Sequence, residues 1–333
     1  MIETPKRDHG GGLDAAIACY GGARADWCDL STGINAEPYV WPEIPNRFWN
    51  GLPDSRAAHD LEQAARRFWN IPDAVAFLAA PGASALIARI PALASAGQVH
   101  IPTPTYNEHR AAFEMQGWSL SDAGKARVIV NPNNPDGRIW SEHEATANNP
   151  DLLIIDESFA DVTPEASLMH LARRPGTLIL KSFGKFWGLA GMRLGFAIGD
   201  PVLIRRLGDM LGPWPVSGPS QWIASHALRD VNWAEITRAR LSRGAARLDK
   251  AMTRTGATSL GGTSLFRLYQ VDDAQAWQNH LAQHQIWSRI FPYSQSWLRL
   301  GLPHHTDWPR VETACGTAGG AMPLAASVIP ADQ

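Results

Sequence analysis

The chain has 333 residues, 45% hydrophobic and 19% charged, with a formal net charge of -2. That length supports a large core and two domains of unequal size, while the near-neutral balance argues against nucleic acid or a membrane surface as the main partner. No apolar run approaches the ~20 residues of a membrane span, and Met1 to Gly12 is polar with no apolar signal region, so a cytoplasmic protein is expected.

In chain order, residues 1–53 read as an irregular arm. Asp54 caps a predicted helix whose apolar positions Ala57, Ala58, Leu61, Ala64, Ala65 and Phe68 fall near a 3.6-residue period. Ala74 to Leu78 predicts a strand, followed by a turn at Pro81 to Ser84 and a helical stretch to Ala94. Gln98–Ile101, Arg127–Val130, Leu152–Ile155, Thr177–Leu180 and Leu194–Ile198 are short apolar runs that predict further buried strands. Their alternation with helical segments gives an α/β domain over 54–230 with a mainly parallel sheet. A long helix is predicted from Ala234 to Thr255 with Leu241, Leu248 and Met252 on its apolar side. Gly261-Gly262 is expected to break the chain before strands at Ser264–Tyr269 and Ser296–Gly301, so 231–314 forms a smaller α+β domain. The stretch 315–333 is rich in Gly, Ala and Pro with little periodicity and reads as a tail without order. Three cysteines without CxxC spacing suggest neither a disulfide framework nor a metal site.

In an open α/β sheet, ligands bind beyond the carboxyl ends of the strands, and the reactive residues gather there. Gly82-Ala83-Ser84 leaves a strand and opens a helix; its amides and hydroxyl suit a phosphate, or form a plain capped turn. Tyr106 follows the next strand and offers an aromatic face to a flat heterocycle. Asn134, in a Pro- and Gly-punctuated turn, either offers its amide to a phenolate oxygen or closes the turn. Asp156 ends an apolar strand, where a carboxylate is costly unless paired; a pyridinium nitrogen, a helix cap or a salt bridge would each serve. Ser182-Phe183-Gly184-Lys185, followed by Arg193 among glycines, places a lysine just past a strand. Desolvation there lowers an amine's pKa and makes it nucleophilic toward an aldehyde, while the serine and arginine can hold one phosphate. An amine at one end and an anion clamp at the other are what pyridoxal 5′-phosphate (PLP) requires.

The motifs Asn134-Pro135-x-Gly137, Asp156-Glu157, Ser182-x-x-Lys185 and Gly191-x-Arg193-x-Gly195 resemble those of the aminotransferase class I/II superfamily of PLP fold type I, over nearly the whole chain to about residue 310. The resemblance implies that Lys185 bonds the cofactor aldehyde, Asp156 pairs the pyridine nitrogen and Asn134 meets the ring hydroxyl oxygen. It further implies that Tyr106 stacks on the ring, that Gly82, Ala83, Ser84, Ser182 and Arg193 hold the phosphate, and that Arg299 binds a substrate carboxylate. A homodimer is implied too, although Leu52-Pro53 stands where relatives present Tyr-Pro to the partner's cofactor.

Two branches compete. His9-Gly10-Gly11 with Asp29-Leu-Ser-Thr-Gly33-Ile-Asn35 is similar to the arm of the L-threonine-O-3-phosphate decarboxylase branch of cobalamin synthesis, which places His9, Gly10, Gly33 and Asn35 among the substrate residues. Arg289 is a further candidate cation. Phe159, where aminotransferases of this group carry a tyrosine, points the same way. The alternative is an aminotransferase acting on a phosphorylated substrate such as histidinol phosphate; a non-catalytic scaffold is opposed by the intact Lys185, Asp156 and Arg193. On the decarboxylase reading, loss of carbon dioxide yields (R)-1-aminopropan-2-ol O-2-phosphate, with Lys185, a tyrosine or water returning the proton.

Overall fold

The computed structural model describes residues 8–318. These form two compact units. The larger comprises Ile34–Ser242 with Gly262–Leu265; the smaller takes the described residues up to Gly33, Arg243–Gly261 and those from Phe266 onward. The boundaries placed at 54 and 231 in the sequence thus fall at Ile34 and Arg243, and the arm is divided at Gly33 rather than standing apart. Residues 315–318 are helical, within Trp308–Ala318, which buries Val311, Ala314 and Cys315 at helical spacing. The remainder of the expected tail, 319–333, lies outside the described residues.

The larger unit is built on a seven-stranded sheet ordered Ala76–Ala80, Gly195–Gly199, Thr177–Ser182, Leu152–Asp156, Ala126–Val130, Gln98–His100, Ser119–Leu120. Thr177–Ser182 onward, every pairing is parallel. The sheet is therefore mainly parallel, as expected, and Ala126–Val130 and Leu152–Asp156 are buried at every position, as a sheet covered on both faces requires. Gly195–Gly199 runs antiparallel to both neighbours, which an apolar run alone does not reveal. Its direction matters for the site. Gly195, the first residue of its strand, pairs with Ala80 and Ser182, at the ends of theirs. A residue just before this strand, Arg193, therefore reaches the same sheet edge as residues that follow the others.

The helix Ser55–Phe68 forms as its pattern predicts. The Asp54 carboxylate accepts from the Ala57 amide at 2.7 Å, and Leu61, Ala64 and Ala65 are buried. The first strand lies two residues later than expected, at Ala76–Ala80. The helical stretch after it stops at Ile87 and resumes as a 3₁₀ turn over Ile90–Leu93, because Pro91 removes an amide donor.

A second sheet has four strands in the order Arg289–Phe291, Ser294–Gly301, Phe266–Gln270, Thr258–Thr263. Gly261-Gly262 does not break the chain but lies inside the Thr258–Thr263 strand. Both take positive φ, 140° and 131°, a backbone that favours glycine, and Gly137 packs so closely on the Gly262 backbone that a Cβ on Gly137 would overlap it. A short parallel pair, Cys28–Asp29 with Ile286–Trp287, ties the arm into the smaller unit.

One buried ionic cluster underlies the larger sheet. Lys181 Nζ lies 2.7 Å from Glu157 and 3.7 Å from Asp161, with all three side chains at most 5% exposed. The indoles of Trp69 and Trp187 donate to Asp161 at 2.8 and 3.0 Å. Burial, its largest influence, pushes the Asp161 carboxyl up in spite of Lys181. Removing Lys181 would strand two carboxylates. Lys181→Met is expected to cost about 3–5 kcal/mol at pH 7. Stranded carboxylates bind protons more readily folded than unfolded, so the deficit should shrink as pH falls; urea melts at pH 7 and pH 5 measure this.

Candidate active site

After Ser182 the chain turns through Phe183, Gly184, Lys185, Phe186 and Trp187. The three aromatics are fully buried. Phe183 stacks on Trp187 at 4.9 Å, and Trp187 on Trp233 at 5.2 Å. The interleaved Ser182, Gly184 and Lys185 line a pocket on the opposite side. Sequence reasoning had singled out the lysine but not the aromatic anchor that holds its loop.

All nine residues expected at the cofactor line that one pocket. Gly82 caps and Ala83 and Ser84 open the helix Ala83–Ile87 that follows Ala80, Tyr106 and Asn134 come from the loops after His100 and Val130, and Asp156 from a strand end. Ser182, Lys185 and Arg193 complete it. The pocket has a cavity volume of about 120 Å³, where one water needs ~10–15 Å³. A ring-sized ligand is accommodated.

The turn containing Asn134 is closed by its neighbour. Asn133 accepts from Thr105 Oγ1 at 2.6 Å, donates to the Pro104 carbonyl at 3.0 Å and to Asp136 at 2.8 Å. This bonding pins the loops bearing Tyr106 and Asn134 to each other. At the anion end, Gly82 has a φ of 89°, and a Cβ there would come within 2.7 Å of Arg193 Nη2. The guanidinium is laid directly against loop backbone, a cradle that only glycine permits. Arg193 itself takes a left-handed φ of 51° and donates to the Ala190 carbonyl at 3.1 Å. The Tyr106 phenol is pushed up to about 12, by burial first and then by Glu108 and Asp156; at neutral pH it remains a hydrogen-bond donor.

At the other end, Asp156 is 2% exposed. Burial raises its carboxyl pKa, but His109 and Ser158 outweigh this and hold it below the usual carboxylate range. Ser158 donates through its amide at 2.9 Å and its hydroxyl at 2.5 Å to Oδ1, and His109 Nε2 lies 2.9 Å from Oδ2. An ionised carboxylate only accepts, so Nε2 carries the proton. Three of about four acceptor positions are thus filled from the protein, which leaves one for a donor in the pocket such as a protonated ring nitrogen. Together with an anion cradle and a lysine, this donor set fits PLP. Lys185 Nζ sits 5.2 Å from the Phe159 ring centroid, within cation–π range.

His109 was not legible as a functional residue. Its signal was only that it shares helical spacing with buried Ala112 and Phe113 on Asn107–Met115. His109→Phe is expected to cost about 1.5–3 kcal/mol, the worth of a hydrogen bond to a charged group, and to raise the Asp156 pKa. Wild-type Asp156, depressed when folded, contributes stability above its unfolded value that is lost as pH falls through the folded one. The variant should lose it at higher pH, as chemical denaturation across pH 3–6 would show.

The expected substrate residues divide between the units. His9, Gly10, Gly33 and Arg299 belong to the smaller unit and Asn35 to the larger. Ser31 connects the arm to the sheet: its hydroxyl accepts from the Gly11 amide at 2.7 Å and its carbonyl from Arg299 Nη2 at 2.6 Å. Arg299 faces Arg289 across the strand pair, and Asp8 forms a two-pronged ion pair with Arg289 at 2.5 and 2.6 Å. Burial, then Arg289, lowers the Arg299 pKa to about 10, so it is still cationic at neutral pH. Gly33 is buried and His9 exposed. Asn35 is 2% exposed, and its side chain bonds protein groups of its own unit. Among the described residues, no helix is long and apolar enough to cross a membrane, and no group of His, Cys, Asp and Glu could hold a metal ion.

Residues 119–315 match the aminotransferase class I and II family. The chain belongs to that family. Its relatives include a threonine-phosphate decarboxylase of Pseudomonas aeruginosa, 38% identical over 92% of this chain and 96% of its own length. A second threonine-phosphate decarboxylase, from a Sinorhizobium species, is 40% identical over 88% of this chain and 92% of its own. Among solved structures, the histidinol-phosphate aminotransferase of Sinorhizobium meliloti in complex with pyridoxal-5′-phosphate shares the fold, with a TM-score of 0.78 and 18% identity over 92% of this chain and 94% of that one. The class I and II fold thus matches the mainly parallel sheet.

Proposed function

We propose that this protein is a PLP-dependent decarboxylase of L-threonine O-3-phosphate. Near-full-length similarity to two threonine-phosphate decarboxylases carries the reaction assignment, and the pocket supports the cofactor. When bound, PLP supplies an aldehyde for amine condensation and a sink for the electron pair left when a bond to the α-carbon breaks.

Each residue then has a task. Lys185 would hold the cofactor through its aldehyde, leaving its amine free once the substrate amine is bound. Asp156, kept ionised by His109 and Ser158, would hold a proton at the ring nitrogen. Ser84, Ser182, Arg193 and the amides of Gly82 and Ala83 hold the cofactor phosphate, while Tyr106 and Asn134 orient the ring. Arg299, as the resemblance implies, would bind the substrate carboxylate, and it remains cationic at neutral pH. As the carboxyl group departs as carbon dioxide, its bonding electrons stay with the substrate and a proton returns to the α-carbon, with the freed Lys185 amine as its carrier.

The test is turnover without an oxo acid. Protein, PLP and L-threonine O-3-phosphate alone should yield the O-phosphorylated amino alcohol steadily. Turnover of histidinol phosphate that appears only with 2-oxoglutarate would make the protein an aminotransferase instead.

A further inference from the structure

We infer that Asn35 and Arg240 are positioning residues that set Lys185 through its backbone, and that Asn35 does not contact substrate. The inference rests on Lys185 being the cofactor-bonding residue of the proposed function.

Three consecutive carbonyls of the lysine loop are held by the segment 35–39. The Asn35 amide donates to the Lys185 carbonyl at 3.0 Å, its side-chain Nδ2 to the Phe186 carbonyl at 2.9 Å, and the Tyr39 amide to the Trp187 carbonyl at 2.9 Å. The Gly188 amide also donates to the Lys185 carbonyl, at 3.1 Å. Gly188 has a φ of 71°, and a Cβ there would stand 2.7 Å from the Asn35 carbonyl oxygen; the two segments touch backbone to backbone. With Phe186 and Trp187 buried beneath, the loop is gripped on both sides, and the lysine side chain is left to project into the pocket.

Asn35 can do this only in one orientation. Its Nδ2 must face the Phe186 carbonyl, so its Oδ1 must face donors. Two are present: the Glu37 amide at 3.1 Å and Arg240 Nη2 at 2.8 Å. A guanidinium can only donate, so Arg240 fixes which end of the carboxamide points where. Glu37 Oε1 lies 3.3 Å from Arg240 Nη1 and steadies the guanidinium in turn. An asparagine so engaged, and 2% exposed, is placed to orient the lysine rather than to meet a ligand. Misplacing a reacting group by about 1 Å costs about 10²-fold in rate, which makes this brace consequential.

The experiment traps the Lys185–PLP bond. Full-length protein is mixed with PLP, reduced with borohydride at timed intervals, and the Lys185 peptide is quantified by mass spectrometry, a readout independent of the substrate's identity. Asn35→Ala and Arg240→Met should slow labelling of Lys185 by about tenfold or more, and Arg240→Lys, which keeps a donor, should recover most of that loss. Turnover of threonine phosphate should show kcat reduced about 10²-fold with KM little changed. Arg240 is partly exposed, so its variants remain informative if Asn35→Ala fails to fold. Labelling at the wild-type rate in the folded variants, or a raised KM with kcat intact, would overturn the inference. If wild-type protein labels Lys185 but does not decarboxylate threonine phosphate, the proposed function fails while the labelling comparison still decides the positioning role.

Discussion

Lys185→Ala is expected to eliminate carbon dioxide release from threonine phosphate, a loss on the order of 10⁶-fold, the size seen when the nucleophile of a covalent enzyme is removed. Among the described residues that line the pocket, Lys185 is the one lysine. The chain has five lysines, Lys6, Lys125, Lys181, Lys185 and Lys250. The one near in sequence, Lys181, is buried and paired with Glu157 at 2.7 Å beneath the sheet. Phe159, facing the Lys185 amine, offers no nucleophile. The variant should also lose the visible absorbance of lysine-bound cofactor while still folding, because the loop is anchored by Phe183, Phe186 and Trp187 and not by the lysine side chain. Activity within tenfold of wild type would show that another group bonds the cofactor.

Asp156→Asn should lower kcat by about 10²–10³-fold, with PLP still attached to Lys185. The substitution keeps shape but removes the charge that, in the proposed function, would hold a proton at the ring nitrogen. Its effect should exceed that of His109→Phe, which leaves the carboxylate in place and only shifts its pKa. Because the wild-type carboxyl is held below the ordinary range, Asp156 remains ionised well under neutral pH. A fall in kcat between pH 7 and pH 5 would therefore have to come from another group. Steady-state kinetics of both variants over that range measures the difference.

Both effects depend on residues that the sequence makes conspicuous, and the reason is local. Gly82, Tyr106, Asn134, Asp156 and Lys185 each follow an apolar strand, and strands running the same way end on one edge. Chain order alone therefore gathers them. Arg193 is gathered for a different reason, the antiparallel Gly195–Gly199 strand, and an apolar run carries no sign of its direction. His109 lacks a motif because one histidine on a buried helix face resembles a core residue until its partner is known. Glu157 adjoins Asp156 but points into the Lys181 cluster, an alternation that follows from strand pleating but names no partner. Asn35 was legible as part of an arm motif, yet the Phe186 carbonyl that its side chain reaches is 151 residues away. Gly261-Gly262 shows the opposite error: punctuation that usually marks a turn instead lies inside a strand, at positive φ.

Carbon dioxide from carboxyl-labelled L-threonine O-3-phosphate, followed with purified protein and PLP in the absence of any oxo acid, tests the proposed chemistry most directly. One labelled carbon dioxide should appear for each phosphorylated amino alcohol formed, and none with Lys185→Ala. Retention of the label in an unchanged or transaminated carbon skeleton would contradict decarboxylation at this site.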